Sequence, residues 1–172
     1  DHLDVIAGQG TVGLEILEQL EDVDNILVAI GGGGLAAGVA TVAKLKAASM
    51  GRKIKVIGVQ AKNASPYVQS LKLGRPIEQQ ITRTIADGIA VSKPGAIPFA
   101  LIKKNIDKVV TVSDDEIAKA IVVLLERSKM VVEPAGAVGV AAIMSGVVKL
   151  KGRTVVILSG GNIDPLLLQK VV

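Results

Sequence analysis

Short aliphatic runs alternate along this chain with longer stretches whose apolar residues fall three and four apart. A chain carrying those two periods in turn is confined to alternating strands and helices. Asn25 to Ile30, Lys55 to Val59, Lys108 to Val112 and Thr154 to Leu158 read as strands. Helices are expected from about Leu35 to Ala48, Ala64 to Leu73 and Ala96 to Asn105, and again after Pro134. Another starts at Ser113, where Ser113 and Glu116 form a capping box ahead of the apolar stripe Ile117, Ala120, Ile121, Leu124 and Leu125. Gly8-Gln9-Gly10-Thr11 reads as the opening of the first helix, with Thr11 as its cap. Past their first residues the strands are nearly continuous apolar runs, whereas an antiparallel sheet with one wet face would alternate apolar and polar residues. The expected fold is therefore α/β, a three-layer open parallel sheet with helices on both faces, built as a single domain over residues 1–172.

Composition enters where it removes chemistries. The 172 residues are 49% hydrophobic and 21% charged, which excludes a disordered tail, and a domain of this length buries about 70% of its unfolded surface. The longest apolar stretch, Ala135 to Met144, is interrupted by glycine and too short to cross a bilayer. There is no cysteine, so thiolate nucleophiles, disulfides and cysteine-held metals are excluded. The single histidine, His2, stands at the chain start, where a frayed, solvated side chain is expected rather than a triad member or a zinc ligand. A net charge of +4 could suggest nucleic acid, but the basic residues are scattered and only Tyr67 and Phe99 could stack on bases. A solvated basic surface is expected, with neither nucleic acid nor membrane as a partner. Asp1-His2-Leu3-Asp4 is acidic where a targeting segment would be basic, and the first residue is not Met. Both facts suit a piece of a larger cytoplasmic protein, or a trimmed chain, better than a complete gene product.

The strongest local signal is Gly31-Gly32-Gly33-Gly34-Leu35, where a buried strand gives way to a helix. Bare backbone there lets several N–H groups face one anion, and the positive end of the helix adds to the attraction, so phosphate is the natural guest. The competing reading is a flexible turn, although four glycines carry an entropy cost that a plain turn avoids. Gly31, Gly33 and Ala36 also fit a dinucleotide fingerprint, but the next strand runs into Gln60-Ala61-Lys62 and offers no acid for the ribose. Ser159-Gly160-Gly161-Asn162 follows the last strand at the same carboxyl edge of the sheet, where ligands of such folds sit. Its serine could bond a heterocycle nitrogen, or merely its own backbone. Glu133 precedes a helix that starts with Pro134, where it would serve as a helix-dipole partner, and Asp87-Gly88 is a turn pair.

Taken in this order, Gly8 to Thr11, Gly31 to Leu35, Thr84-Ile85-Ala86-Asp87-Gly88, Glu133-Pro134-Ala135-Gly136-Ala137 and Ser159 to Asn162 resemble the threonine dehydratase and serine racemase branch of fold type II pyridoxal phosphate enzymes. The resemblance spans essentially the whole chain, and its wording is most similar to catabolic-type threonine ammonia-lyase. It implies the Rossmann-like half of such an enzyme and pyridoxal phosphate as cofactor. It further implies that Gly31, Gly32, Gly33, Gly34 and Leu35 cradle the phosphate, that Ser159 bonds the pyridine nitrogen, that Gly88 lies against the ring, and that Glu133 orients it. A neutral serine does not firmly protonate that nitrogen, which suits loss of a β-hydroxyl. The implied reaction takes water from threonine or serine and yields a 2-oxo acid and ammonia.

Two departures from the family pattern shape the expectation. The family's Schiff-base lysine sits in a Ser-Phe-Lys type motif, and no lysine here has that setting, since Phe99 is followed by Ala100. The substrate-holding loop of the family's small domain is missing as well. The chain is therefore expected to be part of the large cofactor domain, to hold no catalytic residue of its own, and to be inactive alone. The missing small domain would be a partner, and uncovered apolar surface would favour a homo-oligomer. The racemase-like members also carry a divalent-cation site, but at the matching places stand Gln60, Ala64 and Pro66, so no metal is expected. The competing expectation is a Rossmann-like module that binds a phosphate-bearing ligand or nucleotide and performs no chemistry.

Overall fold

The computed structural model describes residues 1–171. In chain order it contains α1 (Leu3–Gln19), β1 (Asn25–Ala29), α2 (Gly34–Ser49), β2 (Lys55–Ala61), α3 (Pro66–Leu73), α4 (Ala96–Asn105), β3 (Lys108–Val112), α5 (Asp114–Val123), α6 (Pro134–Met144), β4 (Thr154–Val156) and α7 (Pro165–Val171). The four strands form one parallel sheet in the order β3-β2-β1-β4, in register from Asn25 opposite both Lys55 and Thr154. No helix among the described residues is long and apolar enough to cross a membrane.

Side chains of β1 alternate between two cores. Ile26 and Val28, with Ile30 just past the strand, join Val39, Ala40, Phe99 and Ile102 beneath α1, α2 and α4. Leu27 and Ala29 join Ile117, Ile121, Val138 and Ala142 beneath α5 and α6. Past Asn25, whose side-chain amide donates to the Lys151 carbonyl at 2.9 Å, β1 is buried on both faces and wholly apolar, which is why this run shows no alternation. The expected three-layer α/β architecture is the one observed.

Local chemistry explains most boundaries. At the start of α5 the Ser113 N–H donates to Glu116 Oε2 at 2.7 Å, while Ser113 Oγ accepts from the Glu116 N–H at 3.3 Å, so the capping box is complete. That helix runs on into a π-helical turn, Leu124–Ser128, which closes at Lys129 with φ 57°. β4 ends at Val156, two residues short of the expected Leu158, with the Ile157 amide still reaching the Leu27 carbonyl at 3.1 Å. α3 begins at Pro66 rather than Ala64, because the Ala64 amide closes a turn onto the Ala61 carbonyl.

Two expectations at the chain start are corrected. Thr11 is not a cap: it lies in the middle of α1, with its hydroxyl donating to the Gly8 carbonyl at 2.7 Å. The helix starts earlier because His2 caps it, Nδ1 accepting from the Asp4 amide at 3.2 Å. His2 is exposed as expected but not frayed. Asp1 ties the start down further, its carboxylate accepting from the Ala96 and Ile97 amides at 2.8 and 3.0 Å. Of the glycines in that first motif, Gly10 serves a helix crossing, whereas a Cβ on Gly8 would meet nothing within 4 Å. A Cβ on Gly10 or Gly13 would press on Val42 and Val39, and one on Gly38 would overlap the Ile6 carbonyl, so α1 and α2 meet backbone to backbone.

The topology also fixes where a ligand can sit. The chain leaves β1 through α2 on one face to reach β2, and it arrives at β4, on the other side of β1, from α6 on the opposite face. The crevice beyond the carboxyl ends of β1 and β4 is thus the point where the strand order reverses.

Candidate active site

Two loops meet at that crevice because their strands are neighbours. The one after β1 carries Gly31 to Gly34, and the one after β4 carries Ser159 to Asn162. A cavity of about 240 Å³ lies between them. All eight residues expected to hold the cofactor line it: Gly31, Gly32, Gly33, Gly34 and Leu35 from the first loop, Ser159 from the second, and Gly88 and Glu133 between them.

Among the described residues, the N–H groups of Gly31 through Ala36 donate to no protein acceptor. Three of them belong to the first turn of α2, whose leading amides lack partners in any helix. The glycines of the loop are required for different reasons. Gly33 has φ 102°, and a Cβ there would overlap the Tyr67 hydroxyl, while one on Gly31 would stand 3.1 Å from Ile89 Cα. At Gly32 and Gly34 a Cβ would meet nothing of the protein within 4 Å. Packing does not call for glycine at those two positions, whereas a ligand that must approach the backbone closely does.

The second wall is assembled around Glu133. Its N–H donates to the Gly160 carbonyl at 3.2 Å, and its Oε2 accepts from the Asn162 amide at 3.3 Å. The carboxylate fills the space beside Gly160, which has φ 85°. Glu133 is the N-cap residue of α6, but its side chain makes no capping bond and holds the Ser159–Asn162 turn instead. A Cβ on Gly136 would overlap the Ser159 carbonyl, so the start of α6 sits directly against that turn. The Ser159 hydroxyl takes part in no hydrogen bond among the described residues, although a bond to its own backbone was the competing expectation. Gly88 belongs to the 3₁₀ turn Asp87–Ile89, and a Cβ there would stand 3.1 Å from Ala135 Cβ and 3.3 Å from Glu133 Oε1. That segment is moored by Asp114, which accepts from the Thr84 hydroxyl and from the Ile85 amide at 3.1 Å.

Sequence reasoning missed the residues beneath the first loop. Tyr67 is fully buried and its hydroxyl donates to the Gly32 carbonyl at 2.9 Å. Burial raises its pKa above the ordinary phenol value, so it stays a donor. Gln60, also fully buried, donates through Nε2 to the Ile30 carbonyl at 3.3 Å and accepts the Tyr67 amide at 3.1 Å through Oε1. The amide considered for a metal-site position is thus committed to backbone partners at both ends. A signal for Tyr67 did exist, since a chain with only two aromatics places one of them directly after Pro66.

A larger hollow of about 720 Å³ opens between Arg83, Asp114 and α7, but Asp114 there is occupied in holding Thr84 and Ile85. The crevice at the glycine loop differs in presenting unpaired amides and an unpaired hydroxyl to one space.

A family model described as pyridoxal-phosphate dependent enzyme matches residues 1–160. An L-threonine ammonia-lyase of Thermotoga maritima is 48% identical over 169 residues, covering 98% of this chain and 41% of that protein. An L-threonine ammonia-lyase of Geobacter sulfurreducens is 51% identical over 161 residues, covering 93% and 39%. The crystal structure of serine racemase from Dictyostelium discoideum superposes with a TM-score of 0.86 at 40% identity, covering 95% of this chain and 52% of that one. The chain therefore spans about half or less of the length of these relatives.

Proposed function

The chain belongs to the pyridoxal-phosphate dependent enzyme family, and from that premise we propose that it is the cofactor-holding part of a threonine or serine ammonia-lyase. The observation that carries the reading is the convergence of unpaired loop amides and an unpaired Ser159 hydroxyl on one cavity. In this reading the amides of Gly31 to Leu35 hold the phosphate dianion, aided by the positive end of α2. Ser159 hydrogen-bonds the pyridine nitrogen, and its hydroxyl is far too weak an acid to protonate that nitrogen fully. Gly88, without a side chain, leaves a flat surface for the ring. Glu133 holds the turn that carries Ser159, so the hydroxyl and the loop amides keep a fixed separation. Bound there, pyridoxal phosphate would supply an electron sink for the substrate's α-carbon, the chemistry that lets a hydroxyl leave the neighbouring β-carbon.

The rest of the site belongs, in this proposal, to other segments. No lysine is among the described residues lining the cavity. Its volume of about 240 Å³ falls short of the roughly 300–1,000 Å³ of a complete small-molecule site. The accessible surface, 9096 Å², exceeds the roughly 7,900 Å² expected of a compact monomer of this mass. These facts favour residues 1–172 as part of a large cofactor domain that a substrate-binding domain covers in the cytoplasmic enzyme. Leu45, Leu166, Val131 and Met144 remain exposed, which favours self-association. Size-exclusion chromatography is expected to place the 17.7 kDa chain above its monomer mass; a clean monomer at micromolar concentration would refute the oligomer.

Crystals soaked with pyridoxal phosphate test the central reading. Density for the phosphate is expected against the Gly31 to Leu35 amides, with the ring between Gly88 and Ser159. A phosphate bound elsewhere, or an empty loop at saturation, would remove the assignment.

A further inference from the structure

The geometry points to Tyr67 as the positioning residue that turns the amides of the glycine loop toward the ligand, an inference that rests on reading that loop as the phosphate holder. The loop is held from beneath at two carbonyls, Gly32 by the Tyr67 hydroxyl at 2.9 Å and Ile30 by Gln60 Nε2 at 3.3 Å. Gln60 Oε1 in turn accepts the Tyr67 amide at 3.1 Å, so the two fully buried residues form one strut.

A trans peptide sets its C=O and N–H on opposite sides of the bond. The peptide that carries the Ile30 carbonyl also carries the Gly31 N–H, and the one that carries the Gly32 carbonyl carries the Gly33 N–H. Drawing both carbonyls into the protein therefore sends both amides the other way, out of it. Gly33 completes the seat, since the space its missing Cβ leaves is occupied by the Tyr67 hydroxyl. The Gly95 amide also reaches the Gly32 carbonyl, but at 3.4 Å, a longer bond than the tyrosine's.

Tyr67 also fills core against Phe99, with ring centroids 6.3 Å apart. Phenylalanine would serve that role equally, so the two roles separate at the hydroxyl. The test is Tyr67→Phe in the ¹⁵N-labelled chain, titrated with inorganic phosphate, with pyridoxal 5′-phosphate and with unphosphorylated pyridoxal. In the wild type the Gly31 and Gly33 amide resonances are expected to move with phosphate. In the variant, phosphate and pyridoxal 5′-phosphate should bind about tenfold more weakly, the loss of one buried hydrogen bond to the loop. Pyridoxal binding and the remaining amide shifts should be unchanged.

Equal phosphate affinity in the variant, or equal weakening toward pyridoxal, overturns the role of Tyr67 and leaves the phosphate reading standing. Silence of Gly31 and Gly33 in the wild type overturns both. Should the variant not fold, hydrogen exchange in the wild type decides. Gly31 and Gly33 should exchange freely without phosphate and be protected by it, and protection already present without phosphate overturns the proposal.

Discussion

Replacing Gly33 with alanine is expected to lower stability by about 2–4 kcal/mol and to abolish cofactor retention. The backbone there sits at φ 102°, a conformation that strains any L side chain. The new methyl would overlap the Tyr67 hydroxyl and come within 2.9 Å of Pro98 Cβ. Tyr67 has no room to retreat, because it is fully buried against Phe99. Either the tyrosine gives up the Gly32 carbonyl or the loop lifts off its seat, and both outcomes disperse the amides. Chemical denaturation and equilibrium dialysis against pyridoxal phosphate measure the two losses. Gly32→Ala is the informative companion. That position is exposed and a methyl there meets nothing, so stability should change by less than about 1 kcal/mol. Binding should still weaken by about tenfold, because the methyl stands where an ester must approach bare backbone. Unchanged binding by Gly32→Ala would show that no ligand comes near that position.

The contrast between those two glycines marks how far sequence carries. The run Gly31 to Gly34 announces an anion cradle by composition and by its place between strand and helix. That Gly33 is demanded by a tyrosine 34 positions later is a tertiary fact with no local signature. Strand and helix limits were legible where the cause is local, as at Lys108–Val112, Ala96–Asn105 and the Ser113–Glu116 box. They failed where the cause is remote. Gly8 to Thr11 looked like a helix opening because glycine and threonine crowd at helix starts, yet Gly10 is there to let α2 approach. The meeting of Ser159 with the glycine loop was readable for a different reason. In a parallel sheet every loop after a strand lies on one edge, so only the adjacency of β1 and β4 remained to be learned.

The largest loss is expected when the 172-residue chain is asked to work alone. Supplied with pyridoxal phosphate and threonine, it should release 2-oxobutanoate no faster than the free cofactor does. The groups around the cavity explain why. The amides of Gly31 to Leu35 can only donate to an anion, the Ser159 hydroxyl is neutral, and Gly88 has no side chain. Among the described residues Glu133 is the one ionisable group lining the cavity, and it already accepts the Asn162 amide. Among the described residues, none lining the cavity carries an amine that could attach the cofactor or take a proton from the substrate's α-carbon. A positioned general base alone contributes about 10²–10⁴ in rate. A longer protein that brings a lysine to this cavity should therefore exceed the isolated chain by at least about 10³-fold. Coupled lactate dehydrogenase assay of the oxo acid reads the difference directly. Turnover by the isolated chain at rates within tenfold of such a protein would mean that one of its own lysines reaches the site, and the division of labour proposed for the two segments would fall.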